Sequence, residues 1–319
     1  MNEINNILIL GNGFDLDLGL PTSYNHFMAS EEFNNLTNNY FVEYLKQQTE
    51  RNWIDIENEF KTYLNQIKGA PVVEHYIIPT DKQKEQQKEF IKNYQDLVIA
   101  LHTYLSKIDY SQINKKSTAA QVLKKIVEDK SFTIFSFNYT NLKEIIKKVT
   151  GPTMASMPPL CHIHGSVDSN NIIFGVEDDA QIDRKYEIII KSMSPHFHSN
   201  NIKHTLENAP SVTFFGHSLG ETDYPYFREF FETQSNVKKS QEKPKNKMIH
   251  IFTKDENSRM ELMGRLREMN NRQTGELYDL NNFHIYKNNE INGSDIEKFK
   301  NTLTEYRPKR RPITKFDLA

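Results

Sequence analysis

The sequence predicts an α/β protein built on a mostly parallel sheet that is flanked by helices. Seven short apolar runs punctuate the chain, and runs of this length are typical of buried strands. Their near-continuous apolarity favours parallel strands that are covered on both faces. The runs are "NILIL" (6–10), "FTIFSF" (132–137), "LCHIH" (160–164), "NIIF" (171–174), "VTFF" (212–215), "MIHIF" (248–252) and "FHIY" (283–286).

Segments with helical periodicity separate these runs. "NLKEIIKKV" (141–149) repeats its apolar residues at the spacing of one helix face. "DENSRMELMGRLREM" (255–269) begins with acidic residues and ends with basic ones, as the helix dipole favours, and "YPYFREFFETQ" (224–234) reads similarly. Alternating strands and helices predict right-handed crossovers within one sheet.

Residues 39–128 break this alternation. "NWIDIENEFKTYLNQI" (52–67) places its large apolar side chains on one helical face, and residues 82–108 read as a long helix. "VVEHYIIP" (72–79) is the one weak strand candidate in this region. We therefore interpret residues 39–128 as a helical insertion that forms a lid or an assembly surface over the sheet.

The remaining chain divides into a core and a tail. The core comprises residues 1–38 and 129–306, and residues 307–319 form a basic C-terminal tail. Residues 236–247 carry five lysines against one acid. Both basic pieces contain proline, and we expect them to be solvated surface.

Composition excludes several classes of protein. The formal net charge of −2 over 319 residues argues against a surface dedicated to nucleic acid. The single cysteine, Cys161, excludes a disulfide framework and a four-cysteine zinc site. No apolar stretch approaches 18 residues and no secretion signal is evident, so we expect a cytoplasmic protein with no membrane partner.

Glycines and polar residues gather where the predicted strands end. Ligand clefts of open α/β sheets lie beyond the carboxyl ends of their strands, so these residues are expected to share one rim. They are Asn12 and Asp15 after the first strand, Asn138 after the second, His164 after the third, and His217 and Ser218 after "VTFF".

The turn "GNGFD" (11–15) is not a recognised phosphate motif. It lacks the third glycine of G-x-G-x-x-G and is not followed by the G-K-[ST] of a Walker A loop. Thr22 or Ser23 is expected to cap a helix that begins at Tyr24. Asp15 is out of place in a purely anion-binding turn, because a carboxylate repels phosphate.

Three further motifs each allow a structural and a functional interpretation. In "FSFNYTNL" (135–142), Asn138 or Thr140 caps the following helix, or Asn138 contacts a ligand. In "HIHGS" (162–166), we expect one histidine to pack and His164 to reach the rim as a base. "FFGHSLGETDYPYF" (214–227) is an ordinary βα loop or a ligand-binding turn.

In this order the motifs resemble the AbiH family of bacterial phage abortive-infection proteins. The segments that carry the resemblance are "ILILGNGFDLDLGLPTSY", "NWIDIENEF", "FSFNYTNL", "HIHGS", "IIFG" and "FFGHSLGETD". They span about residues 5 to 290. The resemblance implies an antiphage effector that acts by abortive infection.

The same series is distantly similar to sirtuin-like domains, which bind NAD⁺ in a Rossmann-like sheet. The similarity aligns Gly11, Gly13, Leu20 and Pro21 with the phosphate-binding turn of those domains. It aligns Asn138 with the ribose-binding asparagine of those domains. It also aligns the pair His164 and Gly165 with their catalytic His-Gly pair. "IIFGVE" (172–177) matches a further element, and Gly216, Ser218 and Leu219 match the adenosine-contacting turn.

Several departures from the sirtuin pattern bear on the chemistry. Asn12, Asp15, Thr140 and His217 stand where sirtuins usually carry Ala, Ser, Asp and Thr. The paired-cysteine zinc module cannot form with Cys161 alone, so lysine deacylation is not expected. The resemblance points instead to antiphage sirtuin-like effectors that destroy NAD⁺.

We therefore expect a hydrolase that cleaves the nicotinamide–ribose bond of NAD⁺, with no metal. Asn138 would orient water or ribose hydroxyls, His164 would accept a proton, and Asp15 would stabilise a positively charged ribose. The pyrophosphate would rest on N–H groups of the Gly11–Gly13 turn and of the following helix. The residues expected to bind the nucleotide are Gly11, Asn12, Gly13, Phe14, Thr22, Tyr139, Gly165, Gly216, His217, Ser218 and Asp223.

Two alternatives remain open from the residues alone. One is a non-catalytic nucleotide sensor whose insertion signals to a partner. The partners expected for the protein are a phage-derived trigger, a partner defence protein or a second copy of the chain. The other is a metal-dependent nuclease. The candidate metal ligands are Asp15, Asp55, Glu57, His162, His164 and Asp223.

Overall fold

A single six-stranded, all-parallel sheet organises the chain, as predicted from its sequence. The computed structural model describes residues 6–47, 56–67, 81–129, 131–151, 157–178, 180, 182, 184–236, 246–291 and 293–305. The strands are β1 (Asn6–Leu10), β2 (Phe132–Ser136), β3 (Leu160–His162), β4 (Ser211–Phe215), β5 (Met248–Thr253) and β6 (Asn282–Lys287).

The order of the strands places a switch point at the middle of the sheet. The order is β3-β2-β1-β4-β5-β6, so the chain moves outward in one direction from β1 and then returns to start β4 on the other side. At the carboxyl edge Leu10 pairs with Ser136 and with Phe215. This is the order of doubly wound sheets that bind dinucleotides, and their ligands lie in the crevice where the order reverses.

The central strands are apolar throughout because both of their faces are covered. Ile7, Leu8, Ile9 and Leu10 of β1 are all fully buried. Leu8 and Leu10 belong to the hydrophobic cluster on one face, whereas Ile7 and Ile9 belong to the cluster on the other. Alternation of side chains along a strand produces this division.

Thirteen helices surround the sheet in the part of the chain that the structure describes. The same part of the chain contains short 3₁₀ segments at Tyr110–Gln112, Arg184–Ile189, Lys191–Met193 and Glu221–Asp223. The helices are α1 (Asn12–Asp17), α2 (Tyr24–Met28), α3 (Glu31–Asn34), α4 (Tyr40–Gln47), α5 (Ile56–Ile67), α6 (Asp81–Ser106), α7 (Thr118–Asp129), α8 (Leu142–Thr150), α9 (Ile202–Asn208), α10 (Tyr224–Gln234), α11 (Glu256–Met269), α12 (Thr274–Leu280) and α13 (Gly293–Glu305).

One predicted strand is wrong. The run at 171–174 forms no strand, although residues 172–174 are buried, and Ile173 donates its N–H to the carbonyl of His164 as part of a compact loop. The chain turns at Gly175 (φ 153°), and an isolated bridge between Val176 and Ile190 follows. A short apolar run thus predicts that a segment is buried, but it does not predict whether the segment pairs with a neighbouring strand.

The helical insertion shares a hydrophobic core with the sheet. Phe60 of α5 and Leu97 and Leu101 of α6 belong to the same cluster as Leu8 and Leu10 of β1. The helix predicted for residues 82–108 is α6, and α5 covers the described part of the helix predicted for 52–67. The strand candidate at 72–79, the tail 307–319 and most of the lysine-rich loop lie outside the described residues.

Candidate functional site at the carboxyl edge of the sheet

The ends of β1, β2, β3 and β4 converge on one cavity of about 150 Å³. A space of this size holds a group as large as a benzene ring. Helices of the insertion close the other side, through Glu57 of α5 and Leu101 and Leu105 of α6. The predicted site residues that line the cavity are Gly11, Asn12, Gly13, Asp15, Thr22, Asn138, Tyr139, His164, Gly216, His217, Ser218 and Asp223.

Two other predicted nucleotide-binding residues lie outside the cavity lining. Phe14 is 1% exposed and packs edge-on against Phe215 in the hydrophobic core. Gly165 lies in a turn against the backbone of Asn171. Both residues are close to cavity residues in the sequence but do not line the cavity. Phe14 lies on the side of α1 that packs in the core, and the chain turns away from β3 at Gly165.

The glycines after β1 and β4 allow two turns to touch. The N–H of Gly13 donates to the carbonyl of Gly216 at 2.9 Å, and that of Gly11 donates to Phe215 at 3.0 Å. A Cβ on Gly13 would lie 2.7 Å from the Cα of Gly216, whose φ is +62°. Both N–H groups therefore already donate within the protein, while pyrophosphate binding by the rest of the turn and the start of the following helix stays a prediction.

Asp15 is buried at the floor of the site within α1. It is 1% exposed, and its Oδ2 accepts a hydrogen bond from Thr140 Oγ1 at 2.8 Å. Its Oδ1 has no hydrogen-bond partner among the described residues. Burial raises the pKa of Asp15 to about 7, although hydrogen bonds from Thr140 and Asn138 oppose the shift. Near neutral pH this carboxyl can both donate and accept a proton.

Asn138 ties the turn after β2 to the turn after β1. Its Nδ2 donates to the carbonyl of Gly11 at 3.1 Å. Neither Asn138 nor Thr140 caps the next helix; Asn141 does, by accepting from the N–H of Glu144. Ser23 caps α2 by accepting from the N–H of His26, while Thr22 Oγ1 donates to Asn12 Oδ1 at 2.6 Å across the cavity rim.

His164 and His217 converge on one carboxylate. His164 Nε2 lies 2.9 Å from Asp223 Oδ1, and His217 Nε2 lies 3.4 Å from Asp223 Oδ2. His217 Nδ1 accepts from the N–H of Leu219, which leaves Nε2 as its protonated nitrogen. The Phe137 ring contacts both imidazoles edge-on, with centroid distances of 5.3 and 4.5 Å.

His162 takes no part in this arrangement. Its Nδ1 contacts the backbone carbonyl of Asn138 at 3.1 Å, and it does not line the cavity. Burial lowers its pKa. This is the packing role that we expected for one histidine of "HIHGS".

Sequence reasoning missed Lys191, which lies behind the cavity and is only 2% exposed. Its Nζ is 3.0 Å from Glu57 Oε2, 2.9 Å from Glu177 Oε1 and 3.9 Å from Asp223 Oδ1. It also lies 3.5 Å from His164 Nε2. Nothing in the sequence marks this lysine, because its partners come from segments far apart in the chain.

The cluster around Lys191 controls the charges of the site. Burial works against the charge of Lys191, but Glu57, Asp223 and Glu177 raise its pKa well above the ordinary value. Burial would likewise raise the pKa of Asp223, yet Lys191 and the two histidines hold it well below the ordinary value. Burial raises the pKa of Glu177 to about 7. Asp223 therefore remains ionised and orients His164.

The nuclease alternative gains no support from the described residues. They contain no group of three or more His, Cys, Asp or Glu residues that could hold a metal ion. Asp55, one of the candidate ligands, lies outside them.

None of the described helices is both long and apolar enough to cross a membrane.

Fold and site together define an α/β protein with a polar, ring-sized cavity at the switch point of a parallel sheet. Residues 7–242 match the family described as "Bacteriophage abortive infection AbiH". The chain belongs to the AbiH family, which implies a role in phage abortive infection. No curated protein and no solved structure matched the chain.

Proposed function

We propose that this AbiH protein hydrolyses the nicotinamide–ribose bond of NAD⁺ during phage infection. The position of the cavity is the observation that carries the proposal. It lies beyond the carboxyl ends of β1 and β4, where a sheet of this strand order receives a dinucleotide. Loss of NAD⁺ would stop the infected cell and with it the phage.

The charge of the cavity suits the cationic end of NAD⁺. The lining contains Asp15, Glu57 and Asp223, and neither Lys nor Arg is among its described residues. Phe137 and Tyr139 supply aromatic surface in the same place. The nicotinamide ring carries a positive charge, so a ring-sized acidic and aromatic space favours it over the phosphates.

The phosphates would then lie at the rim. The N–H groups of Gly11 and Gly13 are occupied, and the Thr22 hydroxyl already donates to Asn12 Oδ1, so we assign this role to the hydroxyl of Ser218, which lines the cavity. Hydroxyl donors bind phosphate oxygens without adding charge. This arrangement replaces the glycine cradle expected from the sequence.

Hydrolysis breaks the bond between ribose C1′ and the ring nitrogen, whose positive charge is neutralised by the departing electron pair. Water adds to C1′ and loses one proton. His164 is suited to accept it, because Nε2–H donating to Asp223 leaves Nδ1 as a basic nitrogen. Asp15, with its pKa of about 7, would bind a ribose hydroxyl and stabilise the charge that develops on the sugar.

Asn138 would position the reacting groups. Its Nδ2 is held by the carbonyl of Gly11, and its carboxamide lies in the cavity lining. The Oδ1 of a fixed carboxamide can accept a hydrogen bond from water or from a ribose hydroxyl. Holding water and sugar together lowers the entropic part of the barrier.

The test is release of nicotinamide from NAD⁺ by the purified full-length chain, together with NAD⁺ levels in phage-infected cells that express it. Wild type is compared with Asn138→Ala, His164→Ala and the exposed-histidine control His204→Ala, each with and without EDTA. We expect activity in wild type and the control only, unaffected by EDTA. If neither the purified protein nor infected cells consume NAD⁺, the proposal is wrong. Binding of NAD⁺ without turnover would support the sensor alternative.

A further inference from the structure

A second and larger cavity lies between helices of residues 39–128 and a segment later in the chain. Its volume is about 390 Å³, which is within the range of small-molecule sites. Helices α4, α5 and α6 and the 3₁₀ segment Arg184–Ile189 form its walls. Its aromatic lining includes Tyr40, Phe41, Phe60, Tyr63, Phe90 and Tyr186.

The rings around this cavity lie at different inclinations. Phe41 and Phe60 stack with centroids 3.7 Å apart, and Tyr63 meets Phe41 at an interplanar angle of 66°. Phe90 meets Tyr186 with centroids 4.5 Å apart, at an interplanar angle of 56°. Aromatic faces and edges therefore border the space from more than one direction, as in sites that enclose a cation.

Three polar groups that line the cavity make no hydrogen bond to any other described residue. Asn93 is 9% exposed, and its side chain makes no hydrogen bond within the part of the chain that the structure describes. The same holds for the Tyr63 hydroxyl and for the Glu89 carboxylate. The Asn93 carboxamide can therefore donate and accept hydrogen bonds with a ligand in the cavity.

The charge of the lining has one sign. Glu89 is the only charged side chain among the described residues that line the cavity. Burial raises the pKa of Tyr63, and the neighbouring Tyr186, Tyr40, Glu89 and Glu43 add to the shift. Of these groups, Glu89 and Glu43 carry the negative charge near the cavity at neutral pH.

We propose that this aromatic cavity binds a small organic cation, namely a protonated or quaternary amine. Ring faces attract a cation through their quadrupole, and Glu89 supplies the counter-charge. Asn93 and Tyr63 would bond to polar groups on the body of the ligand. A nucleotide fits less well, because the described lining offers no cationic side chain for phosphate.

Choline and its neutral isostere 3,3-dimethyl-1-butanol form a matched pair of probes, and adenosine tests a nucleobase. Binding to the full-length protein is measured by calorimetry or ligand-observed NMR. We expect choline to bind about three- to tenfold more tightly than the isostere. Glu89→Gln and Tyr40→Ala should each weaken choline binding, and both residues are exposed enough for the variants to fold. Tyr278→Ala, which changes an exposed tyrosine on α12, should not.

Three results with the wild-type protein would overturn the proposal. They are no binding of choline, equal binding of choline and its neutral isostere, and tighter binding of adenosine than of choline. Loss of binding in Tyr278→Ala to the same degree as in Tyr40→Ala would also overturn it, since it would place the ligand elsewhere.

Discussion

Lys191 Nζ and Glu57 Oε2 lie 3.0 Å apart, both almost completely buried, and they join α5 to the 3₁₀ segment Lys191–Met193 behind the candidate site. The Tyr139 hydroxyl donates to the other oxygen of Glu57 at 2.9 Å. The insertion is therefore attached to the site through a charged pair as well as through apolar packing. An ion pair removed from water is sensitive to loss of either partner, because the remaining charge stays buried.

We predict that Lys191→Met lowers the free energy of unfolding by about 3–5 kcal/mol. The substitution leaves Glu57, Glu177 and Asp223 close together without their cation. The double variant Lys191→Met, Glu57→Gln should regain part of this loss. Urea unfolding measures both effects, with Lys203→Met on the exposed side of α9 as the control. A Lys191 variant as stable as the control would show that the cluster contributes nothing.

The pH dependence of stability should change in Asp15→Asn. The pKa of Asp15 rises from 3.8 to about 7 on folding, so the folded chain holds this proton more tightly than the unfolded chain. The resulting stabilisation is complete below about pH 4 and is lost as the pH rises through about 7. A shift of about three pKa units corresponds to roughly 4 kcal/mol.

Asparagine resembles the protonated carboxyl and does not titrate. We therefore expect Asp15→Asn to become progressively more stable relative to wild type between pH 4 and pH 8, measured by urea unfolding at each pH. Glu177, whose pKa is also raised to about 7, contributes equally to both proteins and cancels in the difference. The exposed Asp279→Asn serves as control. A constant difference across this range would contradict the prediction.

Gly13→Ala should destabilise the protein by more than about 1 kcal/mol, because its Cβ would lie 2.7 Å from the Cα of Gly216. Gly264→Ala provides a control of opposite sign. Gly264 lies inside α11 with no atom within 4 Å of an added Cβ, so alanine should stabilise the helix by about 0.5–1 kcal/mol. Thermal unfolding of both variants tests the prediction, and equal shifts would refute the close approach of the two turns.

If the proposed hydrolysis is correct, His164→Ala should lose about 10²–10⁴-fold in kcat. Asp223→Asn should also lower kcat, since the ionised carboxylate 2.9 Å from His164 orients the imidazole. Nicotinamide release and circular dichroism, measured together, separate a catalytic loss from unfolding. Full activity in both variants would exclude His164 as the base.

Local sequence signals predicted much of this structure. Six apolar runs became strands, and the helices predicted at 141–149, 224–234 and 255–269 formed within a residue or two of their expected ends. The run at 171–174 failed because a buried loop satisfies the same apolar pattern. Asn141 rather than Asn138 or Thr140 caps α8, since Asn138 and Thr140 bond to Gly11 and Asp15 instead.

The sequence by itself determined the α/β class, the parallel sheet and the identity of most cavity residues, since periodicity and strand-end position are properties of neighbouring residues. Only the tertiary structure decided which groups meet. In it the Gly11 and Gly13 N–H groups donate to the end of β4 and to the turn after it, and Phe14 and Gly165 lie outside the cavity. Glu57, Glu177 and Asp223 lie around Lys191. The raised pKa of Asp15 also results from the tertiary structure, because it is caused by burial. Burial and charge pairing depend on residues that are distant along the chain, and no local pattern encodes them.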